Sequence, residues 1–156
     1  MHPDQVLFQG ERTLPDVPAV DHYAGSEKLI TKALEIQQQM GPVFDITCDC
    51  EDGAKAGQET EHAHMAAAMV MSAANQFGRV GARVHDITHP HWRRDIDILI
   101  EDAGQRLAFV TLPKPRSVDD VREQIAYLRA QEAANHTGIA LPVHVLIETH
   151  GALRDA

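Results

Sequence analysis

The sequence predicts an α/β fold, a parallel sheet whose strands are joined by crossover helices. Three observations carry this expectation. Short β-type runs alternate regularly with longer segments of helical period. The helical segments begin and end on recognisable capping and stop residues. Charged residues that interrupt the apolar strands recur at the C-terminal end of one strand after another, which is the edge where parallel α/β proteins assemble their sites.

Strands are expected at Val17–His22, Val43–Cys50, Val80–His85, Leu107–Leu112 and Pro142–Ile147. Between the first two, a helix starts at Ser26, a good N-cap, carries Leu29, Ile30, Ala33, Leu34 and Ile36 on an apolar stripe, and stops at Gly41-Pro42. The second helix, rich in Ala and Met, is expected from Glu59 to Phe77, with Gly78 free to take a positive φ at its end. A third spans Trp92 to Ala103. In the fourth, Ser117 and Asp120 make a capping signal ahead of Val121, Ile125 and Leu128, and Gly138 is the stop. A fifth begins near Gly151. Residues 1–16 show no period and are expected to form an N-terminal arm. No internal repeat, low-complexity tract or Gly/Ser linker points to a second domain.

Composition narrows the function. With 14 Lys+Arg against 23 Asp+Glu the formal charge is -9, and aromatics are 4% of 156 residues, so the chain has no electrostatic footprint for nucleic acid or anionic lipid. The longest nearly apolar stretch, Met65 to Ala74, is far short of the roughly 20 residues that span a bilayer. The N-terminus does not read as a secretory signal, which makes the cytoplasm the default location. Cys48 and Cys50, at i,i+2 in a strand, are badly placed to bridge each other and are expected as reduced, buried residues.

Period-two alternation divides the second strand sharply. Phe44, Ile46, Cys48 and Cys50 share one face, leaving Asp45, Thr47, Asp49 and Glu51 on the other. Arg83 faces opposite to Val80, Ala82 and Val84, and Glu148 opposite to Val143, Val145 and Ile147. Asp52 follows strand two and Lys114 follows strand four, so acids and bases converge on one side of the sheet at one end. Taken singly, each has a plain explanation: a solvated turn for CDCEDG, an ion-pair partner for Arg83, loop charge for Lys114, helix-dipole compensation for Glu148. Recurrence across four consecutive units argues for a site. Glu148 with Asp49, Glu51 or Asp52 offers hard oxygen donors suited to Mg²⁺ or Mn²⁺. His85, His89 and His91 cluster after strand three, but their spacing matches no strong zinc pattern, and His62 and His64 point apart on a helix and are expected at the surface.

The stretch from Phe44 to Gly53, FDITCDCEDG, resembles the "LDLEDxV" motif of the HpcH/HpaI aldolase and citrate lyase β-subunit superfamily, in its citrate-lyase-like and malyl-CoA-lyase-like members. Arg83-Val84 resembles its "RVN" or "RIN", Leu112-Pro113-Lys114 with Ser117 and Asp120-Val121 its "LPKVESxxDV", and Ile147-Glu148-Thr149 with Gly151-Ala152 its "IETxxGV". The four motifs occur in family order from Pro42 onward. His85 stands where many relatives have Asn, Pro115 where they often have Val, and the first strand has no clear counterpart.

The resemblance implies a TIM (β/α)8 barrel of about 250 residues, of which residues 1–156 would be the N-terminal part of a single domain, roughly the first five βα units. It implies a Mg²⁺- or Mn²⁺-dependent carbon–carbon lyase or aldolase acting on a small molecule, an acyl-CoA or oxo-acid of malyl, citramalyl or citryl type, in a homo-oligomer, a trimer or hexamer. Glu148 would bind the metal, Arg83 the carboxylate or carbonyl oxygen of the oxo-acid half, and Lys114 would contribute to substrate binding. Glu51 and Asp52 would hold metal-bound water and orient Arg83. The family's second metal-binding Asp, after strand six, has no counterpart in this sequence. Two other readings are a complete flavodoxin-like Mg²⁺-binding or signalling domain, for which five units suffice, and a non-catalytic barrel relative.

Overall fold

The computed structural model of the chain describes residues 20–156; the expected N-terminal arm and the start of the expected first strand, Val17–Ala19, lie outside the described residues. The elements alternate without exception: β1 (Val20–Ala24), α1 (Glu27–Met40), β2 (Phe44–Asp49), α2 (Glu59–Met71), β3 (Val80–Arg83), α3 (Trp92–Ala103), β4 (Val110–Leu112), α4 (Val118–Ala134), β5 (Val143–Val145) and α5 (His150–Asp155). None of these helices is long and apolar enough to cross a membrane.

The capping signals operate as expected. The Leu29 N–H donates to Ser26 Oγ at 3.4 Å and the Asp120 N–H to Ser117 Oγ at 3.2 Å, each satisfying an orphan donor of a first helical turn. Gly41 closes α1 at φ 84 with its N–H on the Gln37 carbonyl. β1 runs two residues beyond the expected end at His22, to Ala24, because Tyr23 and Ala24 still pair with Thr47 and Cys48 of β2. The other strands are shorter than expected at their ends, where single ladder bonds continue: Cys50 N–H donates to the Arg83 carbonyl, and Val84 N–H to that of Thr111.

Two helix ends are corrected: α4 ends at Ala134, short of the expected stop at Gly138, and α2 ends at Met71 instead of continuing to Phe77. Ser72 leaves the helix at ψ 142, and its Oγ accepts from the Ala74 N–H at 3.2 Å. The buried Asn75 amide then donates to the Val70 carbonyl at 2.9 Å, while Arg106 donates to the Met71 and Asn75 carbonyls, each at 2.8 Å. Side chains thus satisfy the last carbonyls of the helix, and apolar composition cannot carry it further. Gly78, at φ 63, serves the turn into β3.

All neighbouring strands are parallel, in the order β1-β2-β3-β4-β5. This order overturns the flavodoxin-like alternative, which needs a reversal to 2-1-3-4-5 and helices on both faces. The register runs Ala24 to Cys48, Cys48 to Ala82, Ala82 to Val110 and Val110 to Val143. The buried members of that row join Ile30, Leu34, Ala66, Val70, Ile96, Leu99 and Leu128 of the helices in one core. The opposite face carries Asp45, Thr47, Asp49, Arg83 and Thr111, outside that core. An unbroken parallel wall with its apolar rows toward the helices and a polar inner face is the arrangement of a barrel arc.

Candidate active site

The polar face gathers its charges where β2 and β3 end. Asp49 and Arg83 are register partners on adjacent strands, so alternation alone puts both side chains on the inner face. Asp49 Oδ1 accepts from Arg83 Nε at 2.9 Å and Oδ2 from Nη2 at 2.6 Å, a bidentate clamp. Asp49 Oδ1 also accepts from the Glu51 and Asp52 N–H groups at 3.1 and 3.2 Å, so one carboxylate fixes both the guanidinium and the turn leaving β2. Arg83 Nη2 donates to Asp52 at 2.6 Å, and Nη1 lies 3.1 Å from Glu51 Oε2.

From Glu51 the network crosses to the next strands. Glu51 Oε1 is 2.7 Å from Lys114 Nζ, and the Lys114 N–H donates to Glu148 Oε1 at 3.0 Å. All five sequence-predicted site residues, Arg83, Glu51, Asp52, Lys114 and Glu148, are therefore linked through the C-terminal ends of four consecutive strands. Their exposure differs: the Arg83 and Glu51 side chains are 11% and 6% exposed, those of Lys114 and Asp52 46% and 65%. Burial opposes the charge on Arg83, but hydrogen bonds and charge from Asp49, Glu51 and Asp52 outweigh it and hold its pKa above the usual arginine value. The Glu51 contact likewise raises Lys114, so both bases are cations.

Backbone geometry keeps the strand ends together. A Cβ on Gly25 would lie 2.7 Å from Gly53 Cα, so the loops after β1 and β2 touch only because both positions are glycine. Lys114 adopts φ 50, unusual for a side-chain-bearing residue and held by the Glu148 carboxylate on its N–H. Thr149 caps α5 through the Ala152 N–H, and its hydroxyl donates to the Pro115 carbonyl, tying β5 to the loop after β4.

Two cations face four carboxylates here (Arg83 and Lys114 against Asp49, Glu51, Asp52 and Glu148), leaving an excess of negative charge at a site expected to take an anion. Both buried oxygens of Glu51 lie at ion-pair distance from bases without hydrogen-bond alignment. Oxygen donors with surplus negative charge suit a hard divalent cation, which binds through one or two carboxylates with waters and substrate filling its shell. Among the described residues no group of three or more His, Cys, Asp or Glu side chains is arranged to hold an ion.

The sequence assigns the orientation of Arg83 to Glu51 and Asp52 and offers Asp49 only as a possible metal-binding oxygen donor; in the structure Asp49 is the principal partner of Arg83, with two hydrogen bonds to it. Tyr23, whose ring centroid lies 5.1 Å from Arg83 Cζ, gives no signal, because it falls one residue beyond the expected end of the first strand and is assigned to neither sheet face. The surface expectation for His62 is corrected: it is half-buried with Nε2 2.9 Å from the Asp49 carbonyl, because the N-terminal turn of α2 lies against the end of β2. His64 is exposed and bonds Asp102. His85 is committed to Asp95, which accepts from its backbone N–H at 2.9 Å and lies 2.6 Å from Nδ1, and its ring stacks on His89 at 4.0 Å. Cys48 is free and buried, with its thiol pushed up to about 12 by desolvation, and is chemically inert.

Solved structures share the fold that carries this site. A citrate lyase from Burkholderia xenovorans LB400 superposes with a TM-score of 0.87 and 48% identity over 92% of this chain. The chain belongs to the citrate-lyase-like aldolase superfamily. It covers a partial (β/α)8 barrel, spanning 44% of the length of that citrate lyase. A Haloferax volcanii malate synthase in complex with magnesium and glyoxylate matches with a TM-score of 0.74 over 90% of this chain and 45% of its own. The same enzyme with pyruvate and acetyl-CoA matches at 0.72, over 90% of this chain and 42% of its own. At 16% identity these two share the fold with the citrate-lyase-like chain and no more. No protein-family model and no curated protein sequence matches the chain.

Proposed function

We propose that this chain is the N-terminal part of a single barrel domain that makes or breaks a carbon–carbon bond in a 3-hydroxyacyl thioester of malyl, citramalyl or citryl type. The observation that carries the reading is the linkage of Arg83 and Lys114 to Glu51 and of Lys114 to Glu148 across four strand ends. Breaking such a bond leaves an enolate, whose charge needs fixed positive groups in a water-poor pocket. Arg83 is suited to the oxo-acid half, since its guanidinium is permanently charged and oriented before substrate arrives. Lys114 is a second, more exposed cation for the anionic substrate. Glu51 and Asp52 keep both bases charged and in place.

Glu148 would hold a divalent metal, Mg²⁺ or Mn²⁺, with its carboxylate oriented by the Lys114 N–H. When bound, such an ion supplies Lewis-acid stabilisation of the developing enolate and neutralises the excess of carboxylates. The neighbouring enzymes are named for carbon–carbon chemistry on small acids, and one malate synthase complex holds magnesium with glyoxylate, another pyruvate with acetyl-CoA. This supports a small-molecule substrate of the oxo-acid or acyl-thioester class.

The test is cleavage of malyl-CoA-type thioesters with Mg²⁺ by the protein carrying a complete barrel. Glu148→Ala and EDTA should each abolish turnover. Unchanged turnover in both cases rejects the metal role. No turnover of any member of a substrate panel by the wild type would favour the non-catalytic relative.

A further inference from the structure

Tyr23 sits where the apolar core does not reach. It pairs in register with Thr47 on the polar face of the sheet and is half-buried, outside the cluster that joins strands to helices. Its neighbours are the guanidinium of Arg83, the carboxylates of Asp21 and Asp49 and the hydroxyl of Thr111. Thr111 is fully buried, with its hydroxyl beside the phenol. Further along the same face the ring of Phe109 occupies the space that a Cβ on Gly81 would fill, and stacks on His144 at 4.2 Å. An aromatic floor therefore lies beneath the charged network, and Tyr23 is the member of it that touches Arg83.

The donors of Arg83 show what that contact does. A guanidinium has five N–H donors in one plane. Three hydrogen bonds, two to Asp49 and one to Asp52, engage the Nε and Nη2 edge. Among the described residues, Nη1 has only Glu51 Oε2 at 3.1 Å, without hydrogen-bond alignment. Its two N–H groups form the edge open to a ligand. Bonds along the opposite edge fix where that edge lies but let the plane tilt about it, and a tilt displaces Nη1 most. A ring face 5.1 Å from Cζ opposes the tilt. Burial and the Asp21 charge raise the phenol pKa, so the ring contacts Arg83 as a neutral quadrupole and not as a phenolate.

We infer that Tyr23 is a positioning residue: its ring face sets the plane of Arg83 and so aims the two Nη1 N–H groups at the carboxylate or oxo oxygen of the substrate. The substrate half of this inference rests on the proposed lyase function, whereas the ordering of Arg83 by Tyr23 does not. A cation–π contact of about 0.5–2 kcal/mol corresponds to a two- to thirtyfold effect. Tyr23→Phe keeps the ring and should leave KM for the oxo-acid substrate within twofold of wild type. Tyr23→Leu should raise that KM by roughly two- to thirtyfold with a smaller change in kcat. Ordering is read separately by nitrogen NMR of the Arg83 side chain in the unliganded protein: resolved Nη1 and Nη2 signals in wild type and Tyr23→Phe, broadened or merged signals in Tyr23→Leu. Tyr23→Met serves the same comparison if the Leu variant does not fold. Unchanged Arg83 signals in the Leu or Met variant overturn the inference whether or not the protein turns over any thioester. Altered signals with no turnover by wild type would uphold the ordering role and count against the lyase reading instead.

Discussion

Asp49→Asn tests the clamp on which the candidate site rests. Both side chains of the Arg83–Asp49 pair are 11% exposed, so solvent screens it poorly. In the variant, Asn Oδ1 can still accept from Arg83 Nε and from the Glu51 and Asp52 N–H groups, but the amide nitrogen must face Nη2, donor against donor. One charge-assisted bond is lost and a repulsive contact replaces it. Removing one partner of a buried pair costs about 3–5 kcal/mol. Asp52 and Glu51 still compensate Arg83, so the lower end applies, about 3 kcal/mol. For a chain of this size that corresponds to a fall in Tm of roughly 6–12 °C. Urea unfolding followed by circular dichroism measures the difference, with Asp52→Asn as the internal control. The Asp52 side chain is 65% exposed, so that variant should cost under about 1 kcal/mol. If Asp49→Asn costs no more than Asp52→Asn, Asp49 does not hold Arg83 and the account of the site fails.

Gly53→Ala should destabilise by about 1–3 kcal/mol and disturb the site, because its Cβ would lie 2.6 Å from Gly25 Cα and closer still to the Asp49 carbonyl, both backbone atoms that cannot turn aside; thermal unfolding of the variant checks this, and an unchanged Tm would contradict the close approach of the two loops. For His85, burial lowers the pKa but the Asp95 hydrogen bond and charge outweigh it, so the folded value lies above the ordinary 6.5. A raised histidine pKa contributes stability that is complete below the unfolded value and lost as pH rises through the folded one. The Tm gap between wild type and His85→Asn should therefore be wider at about pH 5.5 than at about pH 9; a gap that widens with pH would show that the imidazole is not protonated beside Asp95.

Much of the fold was legible because its signals are local. Ser26 and Ser117 cap helices with atoms a few residues away, and the β2 alternation separates Ile46 and Cys48 from Thr47 and Asp49 whatever the strand pairs with. The missed end of α2 shows the limit. Ala and Met favour continuation, and what stops the helix includes Arg106, a side chain 35 residues from the carbonyl of Met71. The His62 misreading has the same origin: helical spacing shows which way residues point relative to one another, not what lies opposite.

The alternation of elements, the separation of an apolar from a polar sheet face, and the presence of Glu51, Asp52, Arg83, Lys114 and Glu148 near strand ends can all be read along the chain. These follow from period-two and helical periodicity and from capping chemistry, all carried by neighbours in the chain. The three-dimensional arrangement chose between a barrel arc and an open doubly wound sheet, since five βα units serve either until strand order is known. It also decided that Asp49 is the acid that clamps Arg83 and that Tyr23 lies beneath it. Register and loop packing bring residues 34 and 60 positions apart into contact, and no local pattern encodes which of several acids or rings will be the one within reach.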